Sequence, residues 1–220
     1  LINSSLQLNF AYNYCVMIKT FSSRAGRLSP TNITFLEKNS PCVLKLGDVP
    51  KTKKPIVIDI GFGDAQSFSK DVTSNEGFCF LGIEPYKKGF ARAVEFYETN
   101  KPDNLFLFNG DAREYIESID FDIHFIRIHF PDPWPKKKHI KRRLISKQFL
   151  EFIHSKLKKG SKVEIITDSR VYQEHIKELL ETQRLFEIID NFEISYEVST
   201  FHNKGLKKGH SIERYVLLKN

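Results

Sequence analysis

Cysteine, methionine and tryptophan are all scarce, with three Cys, one Met and one Trp in 220 residues. Cys15, Cys42 and Cys79 lie far apart with no CxxC pair, which argues against a zinc site and an even-numbered disulfide framework. No metal is expected, and a reducing cytoplasm is the expected compartment. No apolar run approaches the roughly 20 residues that a membrane-spanning helix needs, so no membrane contact is expected. The start of the chain lacks the charged segment and cleavage pattern of a secretory signal, and Asn3, Asn9 and Asn13 interrupt its apolar residues. The one methionine, Met17, stands just before the basic stretch Lys19 to Arg27, so residues 1–16 are expected to precede the true start and to be dispensable. Internal repeats and low-complexity linkers are missing too. What remains is the composition of a globular protein, 40% hydrophobic and 13% aromatic, in one domain of ordinary size.

From Ile56 onward, short apolar runs alternate with helical patterns, which argues for a parallel α/β sheet. Runs at Ile56–Ile60, Phe78–Ile83, Leu105–Phe108, Ile123–Ile128 and Val163–Ile166 read as buried strands of a doubly wound core. Helices are expected over Ala65–Asp71, Lys88–Glu98, Arg113–Ile119, Ser146–Lys158 and Tyr172–Arg184, with Phe149, Phe152, Ile153 and Leu157 forming one apolar face. Two further strand-like runs, Phe186–Ile194 and Ile212–Leu218, flank a polar glycine-containing segment and suggest an antiparallel pair appended to the sheet. Residues 1–54 read as a loosely structured extension and 55–220 as the functional domain.

The first strand carries Asp59 into Gly61-Phe62-Gly63, a turn where glycines let the backbone approach a ligand before a helix begins. Such a turn alone is as often only a turn. Glu84, however, ends the second strand, where an acid can accept hydrogen bonds from two ribose hydroxyls, and Asp111, before Ala112, ends the third. Each acid could instead cap a helix, Asp111 most readily. Three acids at successive carboxyl ends point to a ligand. Gln66 stands where a nicotinamide-binding turn favours a third glycine, and a carboxylate-lined site suits a cofactor bearing an ammonium and a sulfonium, such as S-adenosylmethionine.

The fourth strand leads into Phe130-Pro131-Asp132-Pro133-Trp134, in which two prolines fix φ on either side of Asp132. The eight residues Lys136 to Arg143 then hold six cations and no acid, almost the whole of the net charge of +7. A charge run by itself is usually a solvated face, and a proline turn is often only rigid. Their adjacency favours an anionic partner such as RNA.

With these residues the chain resembles the bacterial-type tRNA (guanine-N7-)-methyltransferase family, whose FPDPW-x-K and KRR hallmarks are matched by Phe130–Trp134, Lys136 and Lys141–Arg143. The likeness also covers Phe21–Leu28, Ile58–Gly63, Gly82–Glu84, Gly110–Ala112, Thr167–Asp168, Phe201–Gly205 and Gly209–His210. It implies a Rossmann-like class I fold that uses S-adenosylmethionine to methylate guanine N7 in the variable loop of tRNA, with no protein partner required. By position it assigns cofactor contacts to Asp59, Gly61, Gly63, Glu84, Asp111, Ala112 and Asp132. Asp132 is also the catalytic acid, and Lys136, Lys141, Arg142, Arg143, Asp168, Ser199, Thr200, Phe201 and His202 are substrate contacts. The chain departs from the pattern at Asp59, where Glu is common, and at Ser199 and His202, where Thr and Glu are common. Competing readings are methylation of a base amino group, a nucleotide-dependent dehydrogenase and an RNA-binding module without catalysis. The Pro-Asp-Pro-Trp order speaks against the first, Gln66 in place of a third glycine against the second, and the retained acids against the third.

Overall fold

The computed structural model describes residues 18–22, 26–190, 194 and 197–220, apart from the side chains of Thr200 and Phe201. Residues 1–16, read above as dispensable, lie outside it. The apolar runs form seven strands: β1 (Ile56–Ile60), β2 (Cys79–Ile83), β3 (Leu105–Phe108), β4 (Ile123–His129), β5 (Lys162–Thr167), β6 (Phe186–Ile189) and β7 (Glu213–Lys219). Between and around them stand α1 (Pro30–Glu37), α2 (Gln66–Ser74), α3 (Lys87–Asn100), α4 (Ala112–Ser118), α5 (Lys147–Lys156), α6 (Arg170–Thr182) and α7 (Thr200–Lys207), with a 3-10 turn at Lys137–Arg142. The sheet order is β3-β2-β1-β4-β5-β7-β6. The first five strands are parallel, and β7 is antiparallel to both β5 and β6. This is the doubly wound sheet with an appended antiparallel pair that the alternation of elements predicts. Winding reverses beside β1, which opens a cleft at the carboxyl ends of β1 and β4.

Alternation along the strands divides the core between two faces. Ile56, Ile58 and Ile60 pack with Tyr115 and Ile116 of α4, Phe149 and Ile153 of α5 and Ile176 of α6. Val57, Phe80 and Phe125 face the other way, toward Phe68 and Val72 of α2 and Phe90 and Val94 of α3.

Three elements differ from the sequence reading. The extension is not loose over its described part. Ser29 and Asn32 form a reciprocal capping box, Pro30 opens α1, and Phe35 and Leu36 pack on the core. Beyond it, Leu44 N donates to Leu107 O at 2.8 Å and Leu107 N to Cys42 O at 2.7 Å, laying this stretch along β3. The first antiparallel run, read as Phe186–Ile194, ends at Ile189, before Asp190, a poor strand former; residues 191–193 lie outside the described residues. The polar segment that follows contains α7, because Ser199 caps it by accepting from His202 N at 3.1 Å.

Candidate active site

β1 delivers its chain into a turn where Gly61, Gly63 and Ala65 take φ of 78°, 70° and 67°. The first two positions favour glycine for that reason. Glu84 holds the turn from β2: Oε2 accepts Gly63 N at 2.7 Å and Oε1 accepts Tyr86 N at 2.7 Å. Burial pushes its carboxyl up to about 7 against the opposing pull of these two amides. α3 crosses the turn so closely that a Cβ on Gly89 would stand 1.7 Å from Gly63 O. Asp111 caps a helix, as it most readily could, without leaving the cavity. It caps α4 by accepting from Arg113 N at 2.9 Å, is gripped by the Arg113 guanidinium at 2.6 Å, and still lines the cavity with Ala112.

Asp59 points to the α2 face, where its register partner on β4 is Arg127. The guanidinium lies 3.4 Å from Asp59 Oδ2 and hydrogen-bonds Asp71 of α2. Burial raises both carboxyls, and Arg127 opposes it. The row continues along the same face. His129 Nε2 meets Glu164 Oε1 at 2.5 Å, and Arg214 Nε donates to Glu164 Oε2 at 2.6 Å. Burial holds His129 below its usual value, helped by Arg127. Strands that read as uniformly buried thus carry a line of charged and polar groups, in which Arg127 and Arg214 keep the buried carboxylates paired.

At the end of β4 the chain turns sharply, with Phe130 at φ 51° and Trp134 at φ 41°, left-handed values uncommon for such side chains. Asp132 is exposed at the turn, and its Oδ2 accepts Ser22 N at 2.9 Å. Ser22 belongs to a strap, residues 18–22, that crosses the cleft. Trp134 Nε1 donates to Thr20 O at 2.8 Å, Arg142 Nε to Lys19 O at 3.1 Å, and Arg113 Nη2 to Ile18 O at 3.1 Å. Arg142 also stacks on Trp134, 3.6 Å from the ring centroid.

The residues assigned to substrate by resemblance fall into two groups. Lys136 and Lys141 are exposed beside the cleft, and Ser199 lines it. Asp168 sits under α7, where His210 Nδ1 approaches its Oδ2 at 3.0 Å and Gly205 packs against it. His202 rests edge-on to Phe130, 5.9 Å between centroids. Thr200 and Phe201 begin α7; their side chains lie outside the described residues. Arg143 is corrected: it is only 5% exposed, donates to Pro133 O at 3.0 Å and lies over Tyr172. Its charge is turned inward to brace the turn and is not available to a phosphate. Arg142 is likewise committed to the strap.

These elements enclose a cavity of about 270 Å³ lined by Asp59, Asp71, Glu84, Asp111 and Asp132, with Arg127 as the one Lys or Arg among the described residues that line it. A family model described as a putative methyltransferase matches residues 53–215. A tRNA (guanine-N(7)-)-methyltransferase of Wolbachia pipientis wMel is 34% identical over 189 residues, covering 84% of this chain and 85% of that protein. One from Nitrosococcus oceani is 30% identical, covering 89% and 88%. The chain belongs to the tRNA (guanine-N7-)-methyltransferase family. Among solved structures, the 16S rRNA methyltransferase KamB shares the fold at a TM-score of 0.55 and 9% identity, covering 90% of this chain and 97% of that one. The family's cofactor fits what lines the cavity: an excess of carboxylates for a cationic ligand, and a glycine turn pressed close by α3. Sequence reasoning missed Asp71, Gly89 and Arg127. Asp71 and Arg127 are the unpaired-looking charges of an apolar helix face and an apolar strand, a signal that was available.

The raised Glu84 carboxyl gives a pH dependence for this family member. If Glu84 takes the two ribose hydroxyls it needs its ionised form as acceptor, so affinity for S-adenosylhomocysteine should rise about tenfold per pH unit below about 7 and level off above it. Folding runs the other way: the stability that comes from the raised value is present below 4.5 and lost as pH rises through about 7. Calorimetry from pH 5.5 to 8.5 reads the first effect, and Glu84→Ala should weaken binding throughout and flatten the curve. A wild-type affinity independent of pH would remove the assignment.

Proposed function

We propose that this protein transfers a methyl group from S-adenosylmethionine to N7 of a guanine in the variable loop of tRNA. The observation that carries the reading is Asp132, fixed on a doubly strained proline turn at the mouth of a carboxylate-lined cavity. S-adenosylmethionine supplies an electrophilic methyl group on a sulfonium. Glu84 holds the ribose, while Asp59 and the Gly61–Gly63 turn, Asp111 and Ala112 complete the pocket. Guanine N7 carries an in-plane lone pair and no proton, so no base is needed to generate the nucleophile. Alignment is the main demand, and good orientation can recover roughly 7 to 11 kcal/mol of a barrier. Asp132 accepts from the guanine N1–H and amino group and offsets the positive charge that grows on the ring. Thr20, Phe21 and Ser22 of the strap line the same cavity and limit water there. The major groove of an RNA helix is too deep and narrow to reach into, so the target base is displaced from its stack. Mass spectrometry of unmodified tRNA after incubation with the protein and labelled cofactor tests the reading; label absent from 7-methylguanosine would overturn it.

The exposed lysines of the 3-10 turn grip phosphates in this reading. Replacing Lys137 and Lys141 with alanine should lower the salt slope of tRNA binding by about 1.4, at roughly 0.7 per contact to a single-stranded region. Filter binding from low to moderate salt measures it, and an unchanged slope would return these lysines to solvent. Arg143→Ala should act on stability instead, since its guanidinium braces Pro133.

A further inference from the structure

Asp71 stands between the two halves of the site. It is buried on α2, and its two carboxylate oxygens serve different partners. Oδ2 accepts from Arg127, whose Nε lies 3.4 Å from Asp59 on the cofactor side. Oδ1 accepts from the backbone N–H of Glu197 at 2.5 Å. Next to it, Lys70 Nζ reaches the Glu197 carboxylate at 3.6 Å. Glu197 lies two residues before Ser199, which lines the cavity and caps α7. The remaining guanidinium nitrogens of Arg127, Nε and Nη1, have no hydrogen-bond partner among the described residues. Among the described residues Arg127 is anchored by Asp59 and Asp71 and lies over the ring of Phe80.

We propose that Asp71 and Arg127 are positioning residues that fix the segment Glu197–His202, and with it the substrate side of the cleft, against the cofactor pocket. The inference rests on the reading of the site as a tRNA methyltransferase. A backbone amide held by a buried carboxylate is a strong tether, because the carboxylate is itself pinned by a guanidinium and loses no freedom on accepting. The tether reaches the substrate segment at its exposed end, where few apolar contacts compete: Glu197 and Val198 are both exposed. Removing it frees Ser199 and the start of α7 while the glycine turn and Glu84 keep their own hydrogen bonds.

Asp71→Asn preserves shape but cannot satisfy both partners. With its carbonyl toward Arg127, its amide donors face the Glu197 N–H. The half-saturating tRNA concentration should rise roughly tenfold, as expected for loss of one charge-assisted hydrogen bond; because Asp71 also lines the cofactor cavity, the separation of tRNA affinity from cofactor affinity is read in Glu197→Pro. Glu197→Pro deletes the same N–H from an exposed position, and should reproduce the tRNA effect with unchanged cofactor affinity and melting temperature. It carries the test if Asp71→Asn does not fold. A general loss of structure would lower both affinities together, and that pattern in Glu197→Pro overturns the proposal, as does tRNA binding at wild-type strength. Wild-type protein that leaves tRNA unmethylated overturns the functional reading along with this inference. A methylating wild type with unaffected variants overturns this inference alone.

Discussion

Asp132→Asn should slow single-turnover methylation of tRNA by about 10²- to 10³-fold while the protein melts as the wild type does. The substitution keeps the side-chain shape and one carbonyl oxygen, which can still accept Ser22 N, so the strap has no reason to release. It removes the charge that offsets the methylated ring and sets an amide donor opposite the guanine donors. Cofactor affinity should change much less, because Glu84 and the glycine turn are untouched. Rapid quench with labelled cofactor gives the rate, with calorimetry and a thermal melt run beside it. A rate within a few fold of wild type would show that Asp132 only completes a rigid turn.

The second large effect comes from a residue without a functional group. Gly89→Ala places a methyl 1.7 Å from Gly63 O, a distance that no flexible side chain can relieve because both partners are backbone. α3 and the turn must separate. Overpacking of this kind costs about 1 to 3 kcal/mol, and here it also pulls Gly63 N from the carboxylate of Glu84. Binding of S-adenosylhomocysteine should fall by at least about 100-fold, far more than the modest drop in melting temperature would suggest. Calorimetry paired with a melt decides it. Wild-type affinity in Gly89→Ala would mean that the turn has room to yield and does not shape the pocket.

The strands and the helices between them were readable because apolar period and glycine punctuation are local signals, and Ile56–Ile60 and Leu105–Phe108 coincide with β1 and β3. Asp59, Glu84, Asp111 and Asp132 were readable because each follows or ends an apolar run at the edge where such sheets bind ligands. What escaped notice depends on register and on contacts distant in sequence. Nothing near Arg127 says that β4 will set it beside Asp59 with α2 laying Asp71 across both. Nothing near Arg143 says that its guanidinium turns inward over Tyr172, so a run of like charges concealed one member with a different task. The helix α7 was missed because a strand pattern on either side made its polar sequence read as a connection, although Ser199 three residues before His202 is a capping arrangement.

The two ends of the sheet are guarded unequally. At one end, the stretch around Cys42 to Leu44 takes up the outward N–H and C=O of Leu107 in β3. At the other end, β6 is a four-residue strand whose Ile188 is 54% exposed. Shortness is the protection there, since few unpaired groups are offered to another chain. The segment before Pro55 therefore has a duty apart from any ligand: it covers the edge of β3, whose four residues are all apolar, and a piece cut at the apparent domain boundary would leave that edge open to another chain.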